Sequence, residues 1–375
     1  MTISEPQGAT ELVDSAELAE LHDELRAVAR DLLGAHPPEN PVEWRTLAEA
    51  GWTGLEVSDA LGGAGATFAE AAVVLEELGR AAAHSRYLGA VLAVGTLGLL
   101  APSPDRHALL DGVARGAVAP TAAVLDAGVD SLRGDVPFRL ERGLRLSGRA
   151  TFVPDAVGAD RLLLLAREPG GTPVVVLLDP GAVPLGVVEQ EVLDPTRRFG
   201  IVEADAVPLP SAAVLPFTAD PDAAVRRLVD RAAAALACDS LGISEAVLAA
   251  TVAYARTREQ FGRPIGSFQA VKHACADLFV QASLSRRLVS EAARSLAVDA
   301  SGASDATETA LAVSRAKSYA CAAAVDAAGT AMQLHGAIGY AWESGLHAYL
   351  KRAALNRSLF GSPAEHRQRL AARYR

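Results

Sequence analysis

One stretch of the sequence limits the fold more than any other. Residues 222–259 read DAAVRRLVDRAAAALACDSLGISEAVLAATVAYARTRE, with apolar residues at helical spacing and no proline. At about 1.5 Å per residue such a helix would be about 50 Å long, several times the average helix. Two more long segments with alanine-rich faces follow, AVKHACADLFVQASLSRRLVSEAARSLAV and TETALAVSRAKSYACAAAVDAAGTAMQL. Residues 217–375 are therefore predicted to form a C-terminal four-helix bundle of up-and-down helices.

Within residues 1–216 the composition changes once, near residue 118. Residues 1–117 contain helical leucine patterns, as in SAELAELHDELRAVARDLLG, and Thr67 and Glu70 have the spacing of a helix capping box. Residues 118–216 contain short β-branched and leucine-rich runs, such as RLLLLAR and PVVVLLD, separated by Gly, Pro and Asp. The predicted fold class is thus α+β multidomain: an N-terminal all-α domain, a central β-barrel or sandwich domain, and the C-terminal bundle.

Composition and charge exclude several classes of protein. Lys plus Arg is 35 and Asp plus Glu is 45, so the formal net charge is −10, which argues against a nucleic-acid or anionic-membrane partner. The apolar stretch from Tyr87 to Ala101 is shorter than a membrane span, and the N-terminus lacks the pattern of a secretory signal. Three separated cysteines and eight histidines without ligand spacing predict no disulfide and no metal site, and favour a cytoplasmic location.

Two C-terminal segments differ from ordinary helix. In TREQFGRPIGSFQAVKH a long helix ends near Arg258, turns through Phe261-Gly262 and restarts near Gln269. In GTAMQLHGAIGYAWESGLHAYLKRA the residues Gln333, Gly336 and Gly339 interrupt an alanine-rich helix. Glycines let a backbone approach a bulky ligand, and a helix N-terminus nearby favours an anion.

Both segments, together with GWTGLEVSDALGGAGATFAEAAVVLEELGRA in the first domain, resemble the bacterial members of the acyl-CoA dehydrogenase family. The resemblance spans essentially the whole chain and implies the same order of α, β and α domains. It implies FAD as cofactor, with Arg258 on the pyrophosphate, Phe261 against the adenosine, and Gln260 and Gln269 nearby. Gln333, Leu334, Gly336 and Ala337 would contact an FAD held mainly by a neighbouring subunit.

The resemblance also implies a reaction and partners. A glutamate removes the α-proton of an acyl-CoA thioester while a β-hydride passes to the flavin, and a carrier resembling electron-transfer flavoprotein accepts the electrons. We expect oligomerisation through the C-terminal bundle as a dimer of dimers, a homotetramer or a heterotetramer with a paralogue.

The sequence departs from the family at positions that contact the flavin and at the positions of the catalytic glutamate. Phe152 and Pro154 stand where a tryptophan and a threonine usually touch the flavin, and the usual serine-containing loop is not recognisable in TAAVLDAGVDSL. The two usual positions of the catalytic glutamate hold Phe360 and Ala232. The catalytic base is therefore unknown, and Asp239 is the candidate for a reserve base, ahead of Asp230 and Glu365, all of which are otherwise solvated or capping acids.

Three interpretations remain open at this point. The first is an FAD-dependent acyl-CoA dehydrogenase with an unusual, bulky or alicyclic acyl substrate. The second is a subunit without a base in a heteromeric dehydrogenase of the steroid side-chain type, in which a paralogue supplies the glutamate. The third is a family member adapted to a biosynthetic pathway with a carrier-bound acyl group. A paralogous neighbouring gene would favour the second, and a polyketide or peptide synthase cluster the third.

Overall fold

The computed structural model describes residues 7–34, 40–126, 132, 136–300 and 305–373. Its elements follow the predicted order of helices, strands and helices. The first five helices are α1 (Gln7–Gly34), α2 (Trp44–Glu49), α3 (Phe68–Arg80), α4 (Tyr87–Leu99) and α5 (Pro104–Ala114). The capping box predicted from Thr67 and Glu70 is present, because the Glu70 carboxylate accepts the backbone N–H of Thr67 at 2.8 Å while the Thr67 hydroxyl accepts that of Ala69 at 3.2 Å.

The central region forms one mixed sheet of eight strands. They are β1 (Pro120–Ala123), β2 (Phe138–Glu141), β3 (Arg145–Pro154), β4 (Arg161–Arg167), β5 (Pro173–Leu178), β6 (Gly186–Gln190), β7 (Phe199–Pro208) and β8 (Val214–Leu215). The order is β6-β7-β3-β2-β4-β5-β8, with β1 parallel to β4. β4 is buried on both faces, since Leu163 and Leu165 join the helical core while Leu162 and Leu164 join a core within the sheet domain. This explains why its sequence is continuously apolar instead of alternating.

The C-terminal region is a bundle built around α6 (Pro221–Thr257). A two-stranded hairpin, β9 (Glu259–Gln260) and β10 (Arg263–Pro264), leads to α7 (Gln269–Ala300), α8 (Ala306–His335), α9 (Leu346–Ser358) and α10 (Pro363–Ala372). By length and composition α6 could cross a membrane, but 78% of its most apolar window is buried inside the protein. Cys238 and Cys321 are buried between these helices, and they and Cys275 are free thiols.

The first domain is joined to the bundle where α3 crosses α6 at backbone contact. A Cβ atom on Gly79 would lie 2.1 Å from the carbonyl oxygen of Asp239, and one on Gly242 would lie 1.8 Å from that of Glu76. Only glycine allows this approach. Beside the crossing, the buried Glu76 accepts hydrogen bonds from Arg286 of α7 at 2.5 and 3.2 Å. The crossing therefore fixes the position of α6 and α7 relative to α3 of the first domain.

Candidate functional site

The corner after α6 is a tight hairpin that places a phenylalanine in solvent. The helix ends at Thr257, and Arg258 is extended, with its carbonyl oxygen accepting the Ile265 N–H at 2.8 Å. Phe261 and Gly262 connect β9 to β10 with φ angles of +52° and +76°. A two-residue hairpin with positive φ at both positions has the twist that antiparallel strands need, but it costs strain in a non-glycine residue. The Phe261 side chain lies at the tip of this turn and is 92% exposed.

Charged and aromatic side chains surround this hairpin. Phe261 meets Phe268 edge to face with ring centroids 6.1 Å apart, and the Arg263 guanidinium lies 4.2 Å from the Phe268 ring centroid. The Arg258 side chain is exposed and forms no hydrogen bond or ion pair within the described residues. The corner thus offers an aromatic surface beside a guanidinium group that is available to an anion.

The second predicted segment lies at the same end of the bundle. α8 ends at His335, whose ring stacks on Tyr254 with centroids 4.3 Å apart, only one helical turn before Arg258. Gly336 follows with φ +64°, and a Cβ on Gly339 would lie 2.4 Å from the carbonyl oxygen of Met332. The two segments predicted from the sequence are therefore neighbours in space.

The eight predicted cofactor residues share one property, which is access to solvent. Leu334 is half-buried and the other seven are exposed: Arg258, Gln260, Phe261, Gln269, Gln333, Gly336 and Ala337. A group with phosphate and aromatic parts fits this arrangement, because it would pair with Arg258 and cover Phe261. Within the described residues these side chains are open to solvent, so the corner is accessible to a ligand or to another chain.

The two usual base positions are apolar and closed. Ala232 on α6 is fully buried within the main core. Phe360, between α9 and α10, is 2% exposed and adopts φ +52°, followed by Gly361 at +90°. A Cβ on Gly361 would lie 2.8 Å from Cγ of Leu132, so the Leu132 side chain packs directly against this segment. Neither position can accept a proton.

The two β-domain residues that depart from the family pattern, Phe152 and Pro154, both make contacts within that domain. Phe152 has φ +51° and packs edge to face on Phe199 at 6.1 Å, and its N–H donates to the Gln190 side chain at 2.7 Å. The carbonyl oxygen of Pro154 accepts the Thr121 hydroxyl at 2.5 Å. Residues 127–131, in the segment TAAVLDAGVDSL where the usual serine-containing loop is not recognisable, lie outside the described residues.

Asp239 has the environment of a structural acid, which corrects its assignment as reserve base. Arg352 donates to it through Nε at 3.0 and 3.1 Å and through Nη2 at 2.6 Å, Arg197 approaches at 2.7 Å, and the Asn356 amide donates at 2.6 Å. Burial alone would raise the pKa of Asp239, but the two guanidinium groups and the hydrogen bonds outweigh it and hold the pKa at about 2. Both carboxylate oxygens are engaged, so this group is too weak a base and has no access to substrate.

The other two acids are engaged as well. Asp230 accepts hydrogen bonds from both terminal nitrogens of Arg369 on α10. Glu365 closes a capping box with Ser362 at the start of α10, accepting the Ser362 N–H at 2.6 Å.

Sequence reasoning missed the buried polar network around Asp239. Arg352 also donates to the carbonyl oxygen of Ala83 and to the Thr196 hydroxyl, at 2.8 and 2.9 Å, so it links α9 to the first domain and the sheet domain. Lys317 on α8 is fully buried and donates to the Asn356 carbonyl oxygen at 2.6 Å. No sequence signal marks these residues, because charged residues on a helix normally indicate a solvated face.

The comparisons with known proteins agree with this architecture. Residues 223–374 match the acyl-CoA dehydrogenase C-terminal domain and residues 15–116 match the acyl-CoA dehydrogenase N-terminal domain. The chain is 35% identical to the acyl-CoA dehydrogenase IpdE2 of Mycobacterium tuberculosis over 87% of this chain and 85% of that protein. It is 32% identical to IpdE2 of Mycolicibacterium smegmatis over 95% of both chains. The chain belongs to the acyl-CoA dehydrogenase family, a family of oxidoreductases, as the resemblance implied.

Solved structures confirm the fold class. A variant of the Tcur3481-Tcur3483 steroid ACAD superposes with a TM-score of 0.82 at 29% identity, over 95% of this chain and 98% of that one. The ChsE4-ChsE5 complex from Mycobacterium tuberculosis superposes with a TM-score of 0.82 at 26% identity, over 94% and 96%. The names of both solved structures join two proteins, Tcur3481 with Tcur3483 and ChsE4 with ChsE5, and the second structure is a complex.

Proposed function

We propose that this chain is a subunit of an FAD-dependent acyl-CoA dehydrogenase that provides cofactor contacts but no catalytic base. Arg258 would neutralise the pyrophosphate of FAD, Phe261 would cover its adenosine part, and Gln260 and Gln269 would supply side-chain hydrogen bonds. Bound FAD would supply the acceptor for a hydride from the β-carbon of the acyl group. The exposed state of Arg258 supports this role, since none of the described residues forms a hydrogen bond or ion pair with its side chain.

The proposal that this chain has no catalytic base rests on one observation, which is that Phe360 and Ala232 are both apolar and buried. A carboxylate at either position would be required for α-proton removal in this family. The acids nearby on α6, Asp230 and Asp239, are held by arginines. A paralogous chain that carries the glutamate therefore completes the enzyme, as in the second interpretation of the sequence.

The surface of the bundle supports an oligomer. Large apolar side chains are exposed at its cofactor end and along α7. They are Phe261, Phe279, Val280, Leu284, Ile338, Tyr340 and Trp342. We propose a heterotetramer in the cytoplasm, where the three free thiols stay reduced, with an electron-transfer flavoprotein-like acceptor. The acyl-CoA substrate is bulky or alicyclic, in keeping with the steroid ACAD among the similar structures.

The experiment is anaerobic bleaching of the flavin by acyl-CoA substrates, with the pure chain and with the chain co-purified with a paralogue. A positioned base contributes about 10² to 10⁴-fold in rate, so the chain alone should bleach slower than the pair by about that factor. Flavin content is measured first, so that loss of cofactor is not read as loss of chemistry.

Ala232→Glu in the chain alone sharpens the test, because it places a carboxylate where part of the family keeps one. The matched control is Ala232→Gln, which has the same size and no base. Bleaching by the glutamate variant and not by the glutamine variant supports the proposal. Fast bleaching by the unmodified chain alone would show that another residue of this chain is the base.

A further inference from the structure

Helix α1 presents an apolar row that its own domain only partly covers. The residues of this row, called the α1 seam below, are Leu18, Leu21, Leu25, Val28 and Leu32. The fully packed residues of α1, Ala29 and Leu33, lie directly beside this row. Leu25 and Leu32 are half-buried against the main core, whereas Leu18, Leu21 and Val28 are 39%, 50% and 52% exposed. The apolar arc of the helix is therefore wider than the contact it makes.

The spacing of the seam is that of a coiled-coil helix. Its members are separated by three, four, three and four residues, which is the a and d pattern of a heptad repeat. Two of the a residues, Leu25 and Leu32, pack on the chain's own core, so the exposed part of the row consists of Leu18, Leu21 and Val28. At about 1.5 Å per residue the seam is about 21 Å long, enough for two heptads of a partner helix.

Acidic residues flank the seam at the same period. Glu17, Glu24 and Asp31 are exposed, seven residues apart, and each lies one position before an a residue, which makes them g positions. Within the described part of the chain none of the three forms an ion pair. Side chains at g contact the flanking positions of a partner helix and set its charge, so the row selects for basic flanks.

A second copy of α1 does not meet this requirement. In antiparallel pairing the g rows would face each other, acid against acid. In parallel pairing Glu17 and Glu24 would face the e positions of the second copy, His22 and Ala29, which are turned toward the core. Neither arrangement supplies a compensating row of cations.

We propose that the α1 seam is a docking site for an amphipathic helix of another protein, with leucine-type residues on one face and Lys or Arg beside them. The helix lies along Leu18, Leu21 and Val28, and its cations lie against the acidic row. The site is on the first domain and uses none of the residues assigned to FAD.

The probe is a synthetic four-heptad peptide with Leu at a and d and Lys at e and g, and its counterpart has Glu at e and g. Fluorescence anisotropy is measured with the full chain in its purified oligomeric form. We expect the lysine peptide to bind at least about tenfold more tightly than the glutamate peptide, and added salt to reduce this difference.

The seam variant is Leu21→Glu combined with Val28→Glu, and the control is Ala27→Glu, at an exposed position of the same helix outside the seam. The seam variant should lose at least about tenfold in affinity for the lysine peptide, while the control keeps it. Because both seam positions are half exposed, circular dichroism should show an unchanged helix content. A separate variant, Glu17→Gln with Glu24→Gln and Asp31→Asn, should bind with a smaller salt dependence.

Several results would overturn the proposal. Equal binding of the two peptides, or equal binding by the seam variant, would show that neither charge nor seam directs docking. A change of sedimentation coefficient in the seam variant would show that a second copy covers the seam. Binding of the unmodified chain to phosphatidylcholine vesicles that the seam variant loses would assign the seam to a lipid surface instead.

Discussion

Asp239 lies within helix α6 and Arg258 follows its last residue, and the surroundings of the two side chains are opposite. Asp239 is fully buried and engaged by two arginines and an asparagine amide, all within 3.1 Å. Arg258 is exposed and has no side-chain partner in the described chain. A buried ion whose partners all come from its own chain holds domains together, whereas an exposed ion beside aromatic rings is available to a ligand. Burial and pairing, more than residue type, separate the structural charge from the functional one.

The largest effect is expected from a substitution that breaks the buried ion network around Asp239. Arg352→Met should lower the free energy of unfolding by about 3 to 5 kcal/mol, because it leaves Asp239 buried with only part of its compensation. Chemical denaturation followed by circular dichroism measures the change. The control is Arg357→Met on the exposed face of the same helix, which should change stability by less than about 0.5 kcal/mol. Equal stability of the two variants would mean that the network does not hold the domains.

The comparison also shows what the sequence could predict. The order of helical, β and helical domains followed from helix length and from short apolar runs, which depend on local periodicity. The corner at Arg258 and the loop at Gln333 were found because glycines and a proline interrupt helices there, which is a local signal as well. The structure brings the two segments together through the Tyr254 and His335 stack, a contact between residues 81 apart that no local pattern contains.

The role of Asp239 could not be predicted, since it depends on partners far along the chain. Its arginines come from position 197 in the sheet domain and position 352 on α9. A carboxylate near a usual base position and a carboxylate in a closed ion network have the same sequence signature. Similarly, Phe261 and Phe360 each precede a glycine at a helix boundary, and only the structure separates the exposed ring from the buried one.

A second test separates burial from pairing by means of pH. Asp155 is buried like Asp239 but has no ion pair within 4 Å in the described chain, and burial raises its pKa to about 7. An acid whose folded pKa lies above its unfolded value of about 3.9 binds more protons in the folded state between those values. Stability should therefore fall as pH rises from about 4 to 7, by up to about 4 kcal/mol, and level off above pH 7.

Asp155→Asn should remove this fall, which differential scanning calorimetry between pH 5 and about 8 would measure as a smaller change in Tm. Asp239 has the opposite sign, because its lowered pKa gives stability that is present above about pH 4 and lost as pH falls toward 2. An identical pH profile for Asp155→Asn and the unmodified protein would contradict the assignment of the buried, protonated acid.

The exposed side is tested by flavin retention. Arg258→Ala should weaken flavin binding by about 10 to 100-fold, since a charge-assisted hydrogen bond shielded from water contributes about 1.5 to 3 kcal/mol. Titration of the oligomer with FAD, followed by flavin fluorescence, measures it. Arg256→Ala, on the exposed last turn of α6, is the control and should retain flavin. Unchanged flavin binding by Arg258→Ala would show that this arginine does not bind the cofactor and serves only at the end of helix α6.

The smallest effect is expected from backbone strain at the exposed Phe261, which shares a φ of +52° with the buried Phe360. Glycine adopts this conformation without strain and alanine does not, so at the exposed Phe261 the glycine variant should be more stable than the alanine variant by about 0.5 to 1 kcal/mol. Both substitutions should weaken flavin binding equally, because both remove the ring. At the buried Phe360 the loss of packing, about 3 to 5 kcal/mol, should exceed the strain relieved, so that both variants are destabilised. Thermal unfolding of the four variants measures the two differences, and a larger loss at Phe261 than at Phe360 would contradict the assignment of the exposed ring to a ligand and the buried ring to the core.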